Sequence, residues 1–146
     1  MEIREMTKED FDSPMIESIR KLSFVSETLS SAQLKEIFFK RNENCVTVIA
    51  IEKGDIVGHL VTVIHWSFIG TRKAMLFDYS IRKDYEGTWL SLKIWQFMKT
   101  ILKERHQVNY FVGPVSPDKI RFYQRIIGAT IDPNLVFMTG TIIQPE

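Results

Sequence analysis

The 146-residue chain carries 19 Lys and Arg against 18 Asp and Glu, a formal charge of +1 that offers no general attraction to nucleic acid or to acidic membranes. Apolar residues make up 45% of it, enough for one core in one domain spanning 1–146, and no apolar run approaches the roughly 18 residues of a membrane span. A single cysteine, Cys45, excludes an internal disulfide, so a reducing, cytoplasmic setting is expected. The opening Met1-Glu2-Ile3-Arg4-Glu5 is charged and does not read as a secretory leader.

Thr7, followed three residues later by Asp10, reads as a capping box that opens a first helix, with Pro14 inside its early turns and Ile16, Ile19 and Leu22 at helical spacing. Ser30 or Ser31 caps a second helix with Leu34, Ile37 and Phe38 on one face, fading at 41–44. The period then changes. Residues 45–51 are β-branched and apolar, Glu52-Lys53-Gly54-Asp55 is a hairpin turn, and 56–66 is the returning strand. A turn at 70–73 leads into a third strand at 74–81, completing an antiparallel meander.

The polar loop 82–88 contains one glycine and feeds the clearest helix of the chain, from Trp89 to about Arg105. Leu90, Ile94, Phe97, Met98 and Ile101 form its apolar face. Residues 108–115 read as a strand interrupted by Gly113-Pro114. Pro117 and Asp118 start a short helix that Gly128 closes, and 135–143 is a last strand able to pair across a dimer if it lies at an edge. The order α, α, β, β, β, α, β, α, β predicts an α/β (α+β) fold, a mixed and mostly antiparallel sheet flanked by helices on both faces.

A loop that enters a helix N-terminus presents free N–H groups and the positive end of the helix dipole, which suits an anion. Here the amides run from Glu86 to Ser91, preceded by the cations Arg82 and Lys83. The alternative is an ordinary strand-to-helix connection with a solvated charge pair. Asp78 reads, from the residues alone, as a strand carboxylate paired with a cation such as Arg72 or Lys73. His59 and His65 fall on one strand face with Val57, Val61 and Val63, where they would be hydrogen-bonded structural residues or part of a substrate pocket. Three His and one Cys, without ligand spacing, predict no metal site, and Cys45 has no evident His partner that would make it a nucleophile.

The string Ile81-Arg82-Lys83-Asp84-Tyr85-Glu86-Gly87-Thr88-Trp89-Leu90-Ser91 resembles the central strand end and cofactor loop of the GNAT acetyltransferases. In that family an apolar strand residue is followed four positions on by Tyr, and an R/Q-x-x-G-x-G/A pattern then enters a long amphipathic helix. Ile81 and Tyr85 keep this spacing. Ser116-Pro117-Asp118-Lys119-Ile120-Arg121-Phe122-Tyr123 is similar to the family's N-x-x-A-x-x-F-Y segment, and residues 3–11 are typical of its first strand and helix. The chain departs from the pattern where Glu86 replaces Arg or Gln, Trp89 the first Gly, Ser116 the Asn and Lys119 the Ala. One extra residue lies between Tyr123 and Gly128.

The resemblance implies a GNAT fold and transfer of an acetyl group from acetyl-CoA to a primary amine, on a small molecule or a protein, by direct attack. It places the cofactor near Ile81, Arg82, Lys83, Glu86, Gly87, Thr88, Trp89, Leu90, Ser91 and Ser116, in a splay between the strand ending at Ile81 and the one beginning near Val108. Tyr123 would be the acid for the leaving thiolate, its phenol having an ordinary pKa near ~10, and Asp78 the base, directly or through a water. Ile120-Arg121-Phe122, with Ile127-Gly128-Ala129 soon after, is also similar to GNAT-like internal virion proteins of short-tailed phages. That implies an alternative: a GNAT-fold assembly protein without catalysis, housed in a virion and needing no intact cofactor loop.

Overall fold

A computed structural model of the chain describes residues 1–22, 29–40, 44–66, 70 and 72–132. The chain divides into two compact units, Met1–Gly113 and Pro114–Glu146. The first contains a five-stranded sheet in the order β1 (Glu2–Glu5), β2 (Cys45–Glu52), β3 (Asp55–Trp66), β4 (Arg72–Ile81) and β5 (Phe111–Val112). β1 to β4 pair antiparallel and β5 joins β4 in parallel, so the sheet is mixed, as the α/β reading requires.

Alternation along β3 sends neighbouring side chains to opposite faces. Thr62 faces the helix α2 (Leu90–Glu104), its hydroxyl 3.3 Å from Met98 Sδ. On the other face Ile49 and Ile56 join Phe11, Ile16, Ile19 and Leu34 in a buried cluster supplied by the N-terminal segments and the helix α1 (Ser31–Lys40). Helices therefore cover both sides of the sheet in this unit. α2 buries Leu90, Ile94, Trp95, Met98, Ile101 and Leu102, whereas Phe97, expected on the apolar face, is 37% exposed. Trp95 takes the inner place instead, its ring edge-on to Phe111 at 4.8 Å.

Three further sequence expectations are corrected. The first helix is two 3-10 segments, Lys8–Asp12 and Pro14–Lys21, because proline disfavours helical backbone in the residue before it and Ser13 is accordingly extended (φ −92°, ψ 144°). β4 begins at Arg72 rather than Ala74, taking in two residues assigned to the turn. β5 is two residues long rather than eight, since Gly113 and Pro114 end it and Pro114 has no N–H for the ladder. Trp66, at the end of β3, is 64% exposed with the Arg72 guanidinium 4.5 Å from its ring centroid. The side chains of Ile37 and Phe38, and the strand expected at 135–143, lie outside the described residues.

The capping box expected at Thr7 is present, and a second forms at Ser30. Thr7 donates its N–H to Asp10 Oδ2 at 2.7 Å, and Ser30 and Gln33 exchange N–H···side-chain bonds of 2.8 and 3.2 Å at the start of α1. Asp10, 6% exposed, also accepts both Arg4 guanidinium nitrogens at 2.6 and 2.7 Å, which ties β1 to the first 3-10 segment.

The Arg4 guanidinium holds the Asp10 carboxyl below its ordinary range, against burial that pushes it up. As pH falls, the unfolded chain therefore takes up this proton first. The stabilisation is complete above about pH 5 and is lost through the acid range down to the folded pKa. Asp10→Asn should lower stability by on the order of 1–3 kcal/mol at neutral pH. It should also flatten the dependence of stability on pH in acid, both read from urea unfolding midpoints.

Candidate functional site

β3 and β4 pair regularly from Trp66↔Arg72 to Thr62↔Leu76, and then the register slips, so that Val61 lies opposite Asp78. Phe77 is the extra residue of this bulge and is 68% exposed. The slip decides which face each following side chain takes. Leu76 lies opposite Thr62 on the α2 side. Unbroken alternation would put Asp78 there too, but the added residue turns it to the face of Val61 and His59.

On that face His59 Nε2 lies 2.8 Å from Asp78 Oδ2, with Ser80 Oγ 3.5 Å from Oδ1. His59 is 1% exposed, while the Asp78 side chain keeps 25% of its surface. The cations offered as partners for Asp78 go elsewhere: Arg72 donates to the His106 carbonyl at 2.8 Å, and Lys73 lies opposite His65. A single strand's pattern could not reveal the pair, because it forms across two strands on a slipped register. Tyr79, next along β4, points the opposite way and donates its hydroxyl to the Ser91 carbonyl in the first turn of α2.

β4 meets β5 only at Ala74↔Phe111 and Met75↔Val112. Gly113 still lies against β4, where a Cβ would stand 2.9 Å from Leu76 Cβ and 3.3 Å from the Leu76 carbonyl oxygen. Beyond it, among the described residues of this unit, β4 runs to Ile81 with an open edge. Such an edge offers backbone donors and acceptors to an extended ligand.

Ile81 ends β4, and the loop after it winds through a 3-10 turn, Lys83–Tyr85, to Gly87 at φ +74°, a left-handed conformation that suits glycine. Thr88 Oγ1 accepts the Leu90 N–H at 3.2 Å. The amides of Gly87, Trp89 and Ser91 have no backbone partner among the described residues. Arg82 is engaged by Asp84 at 2.8 and 2.9 Å and by Asp55 at 3.3 Å, with its guanidinium near the Tyr85 ring, while Lys83 and Glu86 are exposed. The Trp89 indole is 73% exposed, far more than a ring lying flat on the loop would be. The donor set (unpaired amides at a helix start beside a lysine) fits a phosphate-bearing cofactor, with Glu86 as an exposed acid at its margin.

In the second unit Ser116 precedes the turn Pro117–Lys119 and bonds to Asp118, helping to hold that carboxyl below its ordinary range. The helix α3 (Ile120–Phe122) widens into one π turn, Tyr123–Ile127, closed by Gly128. A π turn holds one residue more than an α turn, which is how the extra residue between Tyr123 and Gly128 is taken up. The Tyr123 ring lies edge-on to Phe122 at 5.4 Å. Among the described residues no group of three or more His, Cys, Asp or Glu is placed to hold a metal ion, and no helix is long and apolar enough to cross a membrane. Cys45 is half-buried, and burial pushes its thiol pKa up, away from the thiolate.

A mixed sheet that opens beside a β4 carboxylate, above a bare-amide loop at the start of α2, is the architecture of the GNAT acetyltransferases. The profile of the acetyltransferase (GNAT) family matches residues 4–129, and the chain belongs to that family. Its fold is similar to that of glucosamine-6-phosphate N-acetyltransferase from Arabidopsis thaliana, with a TM-score of 0.79 at 17% identity over 97% of this chain and 98% of that one. A Trypanosoma brucei acetyltransferase gives 0.73 at 19% identity over 94% and 98%. An aminoglycoside acetyltransferase from an uncultured soil metagenomic sample, in complex with trehalose, gives 0.76 at 14% over 97% and 96%. No curated protein matches the chain in sequence.

The close approach at Gly113 yields a direct test. Gly113→Ala must push against the Leu76 Cβ, which the backbone holds in place, and against the Leu76 carbonyl oxygen, and should cost about 1–3 kcal/mol in urea unfolding.

Proposed function

We propose that the chain is an acetyl-CoA-dependent N-acetyltransferase acting on a primary amine by direct attack. The observation that carries this reading is the partly exposed Asp78 carboxylate, turned out of the α2 face by the β4 bulge, where β4 runs past its two pairs with β5 among the described residues. Acetyl-CoA, when bound, supplies an activated acetyl thioester. Gly87, Trp89 and Ser91 would hold its pyrophosphate through their amides, with Thr88 and Leu90 shaping the turn and Lys83 adding charge; the edge of β4 toward Ile81 would take the extended arm. Arg82, already paired with Asp84 and Asp55, would keep the loop in shape, and Glu86 would stay in solvent.

Asp78 would take a proton from the acceptor ammonium, directly or through a water, freeing the nitrogen lone pair. As the new C–N bond forms and the C–S bond breaks, Tyr123 would pass its phenolic proton to the leaving sulfur, and the second proton shed by the nitrogen as the amide forms would return through solvent to the phenolate. The role of Tyr123, and that of Ser116 beside the cofactor, rest on their places in the family's second motif. The family match runs across both compact units, which supports a single domain over 1–146. Small-molecule amines are the first acceptors to try, since structures of similar fold carry the names of sugar-phosphate and aminoglycoside acetyltransferases. The half-buried, unbridged Cys45 suits a reducing cytoplasm.

Calorimetric titration with acetyl-CoA should give micromolar binding; no heat at millimolar cofactor would remove the enzyme reading and leave that of a GNAT-fold assembly protein. With glucosamine 6-phosphate or sisomicin as acceptor, Asp78→Asn and Tyr123→Phe should each lower kcat on the order of 10²- to 10⁴-fold. An unchanged rate in either variant would strip that residue of its role.

A further inference from the structure

His59 is nearly fully buried, yet one side of its ring has nothing to bond. Nε2 meets Asp78 Oδ2 at 2.8 Å, and Nδ1 is a buried nitrogen without a partner among the described residues. The two ring nitrogens are distinct, and the orphan decides between tautomers. A proton on Nδ1, alone or together with one on Nε2, would be a buried N–H with no acceptor, which costs a full desolvation penalty. A lone Nδ1 proton would also set the Nε2 lone pair against the carboxylate oxygen. With the proton on Nε2, the ring donates to Asp78 and only a weak acceptor site is left bare.

A neutral donor has a further consequence. Lys or Arg in this position would orient Asp78 but cancel its charge. The imidazole orients it while leaving a negative carboxylate for a cationic amine. Oδ2 is taken by His59, and Oδ1 has only the long 3.5 Å approach of Ser80 Oγ, so Oδ1 is the oxygen left for an acceptor.

We infer that His59 is a positioning residue, which donates Nε2–H to Asp78 Oδ2, locks the carboxylate in one rotamer and presents Oδ1 to the ammonium group of the acceptor. This inference rests on the acetyltransferase reading for its use in turnover, but its structural half can be judged alone.

The test takes the full chain and two variants. His59→Leu fills similar space, removes the donor and the orphan nitrogen together, and should fold. His59→Gln keeps an N–H near the Nε2 position. Long-range ¹H–¹⁵N spectra of the wild-type ring should show a protonated Nε2 and a bare Nδ1; the opposite tautomer would overturn the inference. Three-bond couplings to the Asp78 carboxyl carbon should report one χ1 rotamer in wild type and His59→Gln, and averaging in His59→Leu. A single rotamer in all three would also overturn it. With glucosamine 6-phosphate or sisomicin as acceptor, kcat should fall on the order of 10- to 100-fold in His59→Leu and recover largely in His59→Gln, with KM for acetyl-CoA unchanged. An active wild type whose kcat survives His59→Leu sinks the positioning role alone. A wild type that acetylates neither amine counts against the acetyltransferase reading, and the couplings still decide whether His59 holds Asp78.

Discussion

The slipped pairing between β3 and β4 governs the arrangement of the site, because side chains on a strand alternate strictly and one extra residue reverses all that follow. Up to Leu76 the even-numbered residues of β4 face α2. Had that order continued, Asp78 would be driven under α2, among Leu60, Ile94 and Met98, where an ionised carboxylate is costly. Phe77 absorbs the slip and pushes its own ring into solvent. Asp78 then reaches His59, and Tyr79 reaches the first turn of α2. The same local defect therefore sets the carboxylate in place and ties the strand to the helix that follows the loop.

That tie bears on the loop. Tyr79 holds the Ser91 carbonyl and Thr88 caps the Leu90 amide, so the start of α2 is anchored to the sheet from one side and closed from the other. Gly87, Trp89 and Ser91 present from this fixed frame amides that have no backbone partner among the described residues. The two substitutions that set the loop apart from the family pattern, Glu86 and Trp89, are both exposed. Arg82, by contrast, is a cation of the motif that the fold employs for itself, in pairs with Asp84 and Asp55.

Much of the fold was legible in the letters. Thr7 with Asp10, the serine cap at 30 or 31, and the hairpin at Lys53-Gly54 are local signals, and each sits where the chain bends or a helix starts. The extra residue before Gly128 was visible as a spacing, and its accommodation in a π turn is equally local. What misled was neighbourhood. Pro14 broke a helix that periodicity joined, because its effect falls on the backbone of Ser13. Phe97 and Trp95 exchanged places because burial on α2 follows the sheet beneath it, with Phe111 waiting for the indole.

The sequence by itself marked the meander, the loop entering α2 and the helix that follows it, since capping, turn chemistry and period act over a few residues; the opening strand Glu2–Glu5, too short to show a period, was absent from the expected order. Tertiary structure alone decided that Asp78 answers to His59 rather than to Arg72 or Lys73, that Arg82 is engaged, and that β5 touches β4 for only two pairs. Those outcomes depend on register between strands distant in the chain. A register is set by the summed packing of two faces, and no short run of residues encodes it.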